Sequence, residues 1–199
     1  PGDDGPGDDG PGDDGSDGPD DGPTEDIDRP RPEDSDDEPD EQTCQQVRKR
    51  RDDMQIARDA FANPETVERA ERNRLPGVSG DEYSYQDMIA DEVGEAYDRM
   101  REARGEKATG DPAAAAMSTD ASCRVSAPAR SSYTDNGTPG VVWEAERWHE
   151  QVHRENCKAD PDWYDDLAED PSALSEEEVE AYDESIEVLD EYLDAKCPD

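Results

Sequence analysis

Residues 141–157 read VVWEAERWHEQVHRENC, and the spacing of their apolar side chains indicates the fold class. Val141, Ala145, Trp148 and Val152 recur at intervals of four, three and four residues. Apolar residues with this period lie on one side of an α-helix. The stretch therefore predicts an amphipathic helix that packs one face against the rest of the protein.

The same helix carries the only two histidines of the chain. His149 and His153 lie four residues apart, and Glu150 follows the first of them directly. Residues at this spacing share one face of a helix, so both imidazoles can bind one tetrahedral metal ion. Glu150 lies about 100° further round the helix, within reach of a water molecule on that metal. The His-Glu-x-x-His pattern is typical of a zinc site with a glutamate as general base.

A zinc ion in such a site needs a third protein ligand, and the chain has no further histidine. The ligand is then a glutamate, an aspartate or Cys157, which lies four residues after His153. A thiolate in an oxidising compartment usually ends in a disulfide, which disfavours Cys157. The residues of the motif helix alone leave the choice between the acidic candidates open.

Residues 177–185, EEVEAYDES, resemble the downstream Glu-x-x-Ala-Asp helix of gluzincin metallopeptidases. Glu178, Ala181 and Tyr182 occupy the matching positions, with Tyr182 in place of the usual aspartate. The resemblance implies that Glu178 is the third zinc ligand. Asp183 is the alternative ligand, which would resemble the aspzincins, or it supports the ligands as Tyr182 would. The two motifs together look like a compact gluzincin-type domain.

These motifs predict a secreted or envelope-attached zinc metallopeptidase that hydrolyses protein or peptide substrates. The resemblance implies that Glu150 takes the proton of the attacking water and passes it to the leaving amine. Tyr182 and Tyr133 are the candidates to stabilise the oxyanion, because no spare histidine exists. The alternative is a non-catalytic, acidic extracellular binding protein whose metal site is structural or vestigial.

Further helices are predicted from capping residues and helical periodicity. They run from Thr43 to about Phe61, from Pro64 onward, from about Tyr85 to Arg104, and from about Glu176 to Ala195. Thr43 with Gln46, and Ser175 with Glu178, match the capping-box pattern of the first and last helix. One short strand is expected near residues 123–126. The predicted fold class is mainly α, a compact zincin-like helical domain with little β structure.

Residues 1–42 differ in composition from the rest of the chain. They begin with PGDDG repeats, contain 19 acidic and 2 basic residues, and have no aromatic side chain. Such a segment is predicted to be a disordered acidic linker, and residues 43–199 the helical metallopeptidase domain. The repeat resembles the acidic Gly/Asp-rich spacers of bacterial lipoproteins, which implies a lipid anchor upstream of residue 1. Divalent cations are a further predicted partner of the acidic tail.

The net charge of −38, from 58 acidic and 20 basic residues, argues against nucleic acid and anionic membranes as partners.

The chain has an even number of cysteines and no Cys-x-x-Cys pair; they are Cys44, Cys123, Cys157 and Cys197. They predict two disulfides and therefore a secreted or cell-envelope location. Of the three pairings, Cys44–Cys123 with Cys157–Cys197 is favoured, because the second bridge would join the two helices that carry the zinc ligands.

Overall fold

The computed structural model describes residues 28–31, 39–73, 85–105 and 117–197. Most of the predicted linker, residues 1–27 and 32–38, lies outside the described residues. Its disorder and the proposed boundary at residue 42 therefore stay predictions.

Within these ranges the chain forms seven α-helices and one short antiparallel hairpin. The helices are α1 (Glu41–Phe61), α2 (Pro64–Asn73), α3 (Tyr85–Ala103), α4 (Arg130–Thr134), α5 (Gly140–Ala159), α6 (Trp163–Glu169) and α7 (Pro171–Lys196). The strands are β1 (Ser118–Thr119) and β2 (Val125–Ser126), with Ser118 opposite Ser126 and Thr119 opposite Val125. The predicted mainly α fold with little β structure is confirmed.

Two predicted capping boxes are wrong, because an aspartate begins each of these helices earlier. Asp40 accepts a hydrogen bond from the Thr43 amide at 2.7 Å, so α1 starts at Glu41. Asp170 caps α7, and Pro171 lies in the first turn. Proline is tolerated there because an N–H group at this position has no acceptor within the helix. Ser175 consequently lies inside α7 and donates its hydroxyl to the carbonyl of Phe61 at 2.6 Å.

The main core lies where α7 packs along both α1 and α5. The buried side chains of this core come from all three helices: Cys44, Val47, Met54, Val141, Val142, Ala145, Ile186, Val188, Leu189, Tyr192 and Cys197. Val141, Ala145 and Val152 of the predicted α5 stripe are all buried. Burying each large apolar side chain stabilises the fold by about 1.5–3 kcal/mol. This packing fixes the relative position of α5 and α7.

A smaller apolar cluster lies beneath the C-terminal half of α5. Its buried members are Ala60, Ala96, Cys157, Trp163, Leu167 and Leu174. Trp163 and Leu167 belong to α6, which the sequence did not predict, because a seven-residue helix shows too few apolar positions to reveal its period. The cluster joins the end of α5 to the start of α7.

The disulfides are Cys44–Cys197 and Cys123–Cys157, with Cα separations of 5.8 and 5.6 Å. The favoured pairing of Cys44 with Cys123 and of Cys157 with Cys197 is wrong. α1 and α7 run antiparallel, so Cys44 at the start of α1 meets Cys197 at the end of α7. Cys123, in the turn of the hairpin, bonds to α5 instead.

Arg29, within the predicted linker, contacts the outer face of α7. Its guanidinium lies 3.0 Å from the carboxylate of Glu187 and 3.2 Å from that of Glu191.

Among the described residues, no helix has the length and apolar character that crossing a membrane requires.

Candidate metal centre

Three side chains from two helices converge on one point. The Nε2 atoms of His149 and His153, on α5, lie 3.1 Å apart. The carboxylate of Glu178, on α7, places one oxygen 3.4 Å from Nε2 of His149 and the other 3.6 Å from Nε2 of His153. Among the described residues these three side chains form a group that could hold one metal ion.

The spacing of the ligand atoms is compatible with one bound metal ion such as zinc. Zinc binds histidine nitrogen and carboxylate oxygen at about 2.0–2.2 Å, so two ligands of a tetrahedron lie about 3.4 Å apart. The two imidazole nitrogens lie 3.1 Å apart, and each has a different carboxylate oxygen of Glu178 near it, at 3.4 and 3.6 Å, so the separations are close to this value. Two imidazoles and one carboxylate are also a donor set that zinc uses in proteins. Both chemistry and geometry therefore suit zinc.

The electrostatic environment of the group favours positive charge. The side chains of His149, His153 and Glu178 are only 12%, 8% and 21% exposed. Burial lowers the pKa of His153, but the hydrogen bond to Glu177 and the charges of Glu178 and Glu150 outweigh it and raise this pKa to about 9. Burial raises the pKa of Glu178, but the neighbouring histidines outweigh it and the net shift is downward. A shielded, negatively charged carboxylate is thus held beside the two imidazoles.

The ring of His153 is oriented by Glu177, a residue that the sequence analysis did not identify. Its Nδ1 lies 3.0 Å from a carboxylate oxygen of Glu177, and Nε2 faces the other ligands. The side-chain amide of Asn156 donates to both oxygens of Glu177, at 3.2 and 3.0 Å. A carboxylate in this position fixes the ring and its tautomer and makes the facing nitrogen a stronger metal ligand.

Replacing Glu177 by alanine should lower the affinity for zinc by roughly 10- to 100-fold, because the ring of His153 loses its orienting partner. Competition with a chromophoric zinc chelator measures this affinity. Glu176→Ala is the matched control, since the Glu176 side chain is exposed on the same turn of α7. Equal affinities of the two variants would contradict the orienting role of Glu177.

Glu150 is buried next to the three ligand side chains, with 6% of its surface exposed. The hydroxyl of Thr119, on β1, lies 2.9 Å from its carboxylate and 3.0 Å from its backbone carbonyl. The hairpin therefore contacts α5 at the residue proposed as general base. Thr119 was not predictable from the sequence, because its position depends on a contact between residues 31 positions apart.

The two candidate tyrosines lie in different places. The ring of Tyr182 packs edge-on against His149, with 4.6 Å between ring centroids. Burial, and next the negative charge of Glu178, raise the pKa of Tyr182, so its phenol stays protonated at neutral pH. Tyr133 instead donates its hydroxyl to Glu146. Tyr182 is therefore the tyrosine that adjoins the metal-competent group.

The alternative ligands named from the sequence are engaged elsewhere. The carboxylate of Asp183 forms two hydrogen bonds with Arg58, at 2.9 and 3.1 Å, and is 54% exposed. Cys157 is bonded to Cys123. The described structure thus brings Glu178 to the histidines, and not Asp183 or a free Cys157.

In metal-free protein, the stability should fall as the pH rises from about 6.5 to about 9. The pKa of His153 is about 9 in the folded chain and about 6.5 when unfolded, so the folded state binds the proton more tightly. This contribution is fully present below pH 6.5 and is lost as the pH passes 9, for a change of up to about 3 kcal/mol. Urea unfolding at several pH values measures it. His153→Asn should flatten the dependence, and an equally steep curve for this variant would contradict the assignment.

The sequence matches no protein-family model, and neither the curated proteins nor the solved structures contain a match to it. These comparisons therefore assign no family to the chain.

Proposed function

We propose that this protein is a zinc-dependent metallopeptidase. The observation that carries the proposal is the convergence of His149, His153 and Glu178 into a group that could hold one metal ion. Glu150 directly follows His149 on α5. The first three residues would hold the zinc ion. Glu150 would serve as general base, and proteins or peptides would be the substrates.

In this proposal zinc supplies Lewis-acid activation of water and of the scissile carbonyl. Glu150 accepts the proton of the attacking water and then delivers it to the leaving amine. The ring of the partly buried Tyr182 adjoins His149, and its protonated phenol would be the chain's own donor for the oxyanion. Thr119 holds the carboxylate of Glu150, and Glu177 holds the ring of His153.

The two disulfides support an oxidising location for this chemistry. The described part of the chain has no free cysteine. We propose that the protein works outside the cytoplasm, either secreted or attached to the cell envelope.

Purified protein should contain about one zinc ion per chain and should hydrolyse peptides in a manner that a chelator abolishes and added zinc restores. Elemental mass spectrometry and a quenched-fluorescence peptide library measure the two properties. His149→Ala and Glu178→Ala should each lose zinc and turnover, whereas Glu176→Ala should keep both. Zinc retained by Glu178→Ala would contradict the ligand set.

A second candidate is a structural zinc site in a non-catalytic binding protein. The burial of Glu150 and its hydrogen bond from Thr119 favour it, because a general base must reach substrate water. Cobalt-substituted protein separates the two candidates through its visible spectrum. A spectrum that shifts on addition of acetohydroxamate indicates an open ligand position and supports the peptidase. An unchanged spectrum indicates a closed, structural site.

A further inference from the structure

A cleft of about 400 Å³ lies on another part of the surface, between α1 and the turn that joins α4 to α5. Its charged lining residues are Lys49, Arg50 and Asp53 of α1 and Glu146 of α5. Lys49 and Arg50 belong to the RKRR sequence of residues 48–51, a basic cluster in a chain of net charge −38. The cleft is large enough for a small organic ligand.

The two carboxylates of the cleft already have hydrogen-bond donors on both oxygens. Glu146 accepts from Arg50 through one oxygen and from Tyr133 through the other. Asp53 accepts from Lys49 at 2.6 Å and from Arg101 at 3.1 Å. These acids therefore have little capacity to attract a cationic ligand.

The two cations of the cleft keep donors to spare. Nε of Arg50 is buried and has no hydrogen-bond acceptor among the described residues. The Lys49 side chain is 61% exposed, and its one ion pair leaves two of its three N–H donors for other acceptors. A buried donor without an acceptor costs about 1–3 kcal/mol. The part of Arg50 open to the cleft is the remainder of its guanidinium, and the Arg50 side chain is 21% exposed.

The start of α5 adds further positive potential to the same wall. Pro139 and Val142 both line the cleft, and α5 begins between them at Gly140 without a side-chain cap. The N–H of Val142 donates to the carbonyl of Pro139 at 3.0 Å, and the positive end of the dipole of this 20-residue helix lies at the same turn. The dipole of α5 thus adds to the positive potential of Lys49 and Arg50 on α1.

We propose that this cleft binds the carboxylate group of a small ligand, with Arg50 and Lys49 as the recognition residues. A carboxylate has two oxygens that match the planar fork of an arginine, and it supplies the acceptors that the cleft lacks. The inference does not depend on the proposed peptidase activity. The carboxylate belongs either to a peptide C-terminus or to a free organic acid.

Amide chemical shifts of Gly137 and Val142, followed by NMR during titration, test the proposal. Triglycine should bind at millimolar or lower concentration and at least tenfold more tightly than triglycinamide, which has no carboxylate. Propionate is the second probe. Tighter binding of triglycine identifies a peptide C-terminus, and comparable binding of propionate identifies a free organic acid. The titrations use zinc-free full-length protein and its His149→Ala variant, so that a carboxylate bound to zinc is not counted.

Arg50→Gln should weaken triglycine binding roughly tenfold or more, and Lys49→Gln by a smaller factor. Arg51→Gln should leave it unchanged, because Arg51 points to Asp190 on α7. Lys49 is exposed, so its variant remains informative if Arg50→Gln does not fold. Equal binding of triglycine and triglycinamide, or no shift with either carboxylate probe, would overturn the proposal. Binding that is lost in His149→Ala would also overturn it.

Discussion

Glu150→Gln should lower the kcat/KM for peptide hydrolysis by about 10²- to 10⁴-fold while the zinc content stays near one per chain. Glutamine has almost the same shape as glutamate, so the contact with Thr119 and the packing of α5 can persist. It cannot accept the proton of the attacking water, because its amide is not a base at neutral pH. The loss should therefore appear mainly in kcat and leave KM nearly unchanged.

Glu155→Gln is the control for this measurement. Glu155 is exposed on the same helix and contacts Gln151, so its replacement changes the charge of α5 by the same amount. Its activity should match that of the unmodified protein. Unreduced turnover in Glu150→Gln, with zinc bound, would eliminate Glu150 as general base and favour the structural site.

Replacing Cys44 and Cys197 together by serine should cost about 5 kcal/mol of unfolding free energy in the chain-entropy account of disulfides. The bridge joins residues separated by 153 positions, and long loops give the largest loss of entropy in the unfolded chain. Native domains are stable by about 5–15 kcal/mol, so this variant should unfold at much lower urea concentration or fail to fold. Urea unfolding followed by circular dichroism measures the difference.

The matched comparison is the double replacement of Cys123 and Cys157. Its sequence separation is 34, for which the same account gives about 4 kcal/mol. This bridge also ties the hairpin that carries Thr119 to α5, so its removal should reduce peptidase activity in molecules that remain folded. A larger stability loss for this pair than for Cys44 with Cys197 would contradict the loop-length argument.

Local sequence signals predicted the elements whose evidence lies within a few residues. The apolar period of α5 and the four-residue spacing of the histidines are such signals, as is Asn63, whose side chain accepts from the Glu65 amide at 3.0 Å. Glu178 was also named from the sequence as a candidate metal ligand, although the capping box between Ser175 and Glu178 does not form. Asp170, which precedes a proline, is the N-cap of α7 in place of the predicted Ser175. The helix therefore starts at Pro171, five residues before the predicted start at Glu176.

Features that depend on contacts between distant parts of the chain were not predictable in this way. The pairing of Cys44 with Cys197 follows from the antiparallel packing of two helices, which their sequences alone do not specify. Thr119 lies 31 positions from Glu150 in the sequence and meets it through the packing of the hairpin on α5, to which a disulfide also joins it. Glu177 was one of many glutamates in an acidic chain, and only the helix packing turns it toward His153.

The bond between Cys44 and Cys197 makes residues 44–197 a closed covalent ring. A single cut by a protease at any peptide bond between these two residues opens the ring but releases no fragment. A nicked molecule would still carry both ligand-bearing helices on one connected polymer, and it would migrate as one band on a non-reducing gel and as two after reduction. This topology would allow one backbone break to be tolerated in an environment that contains proteases.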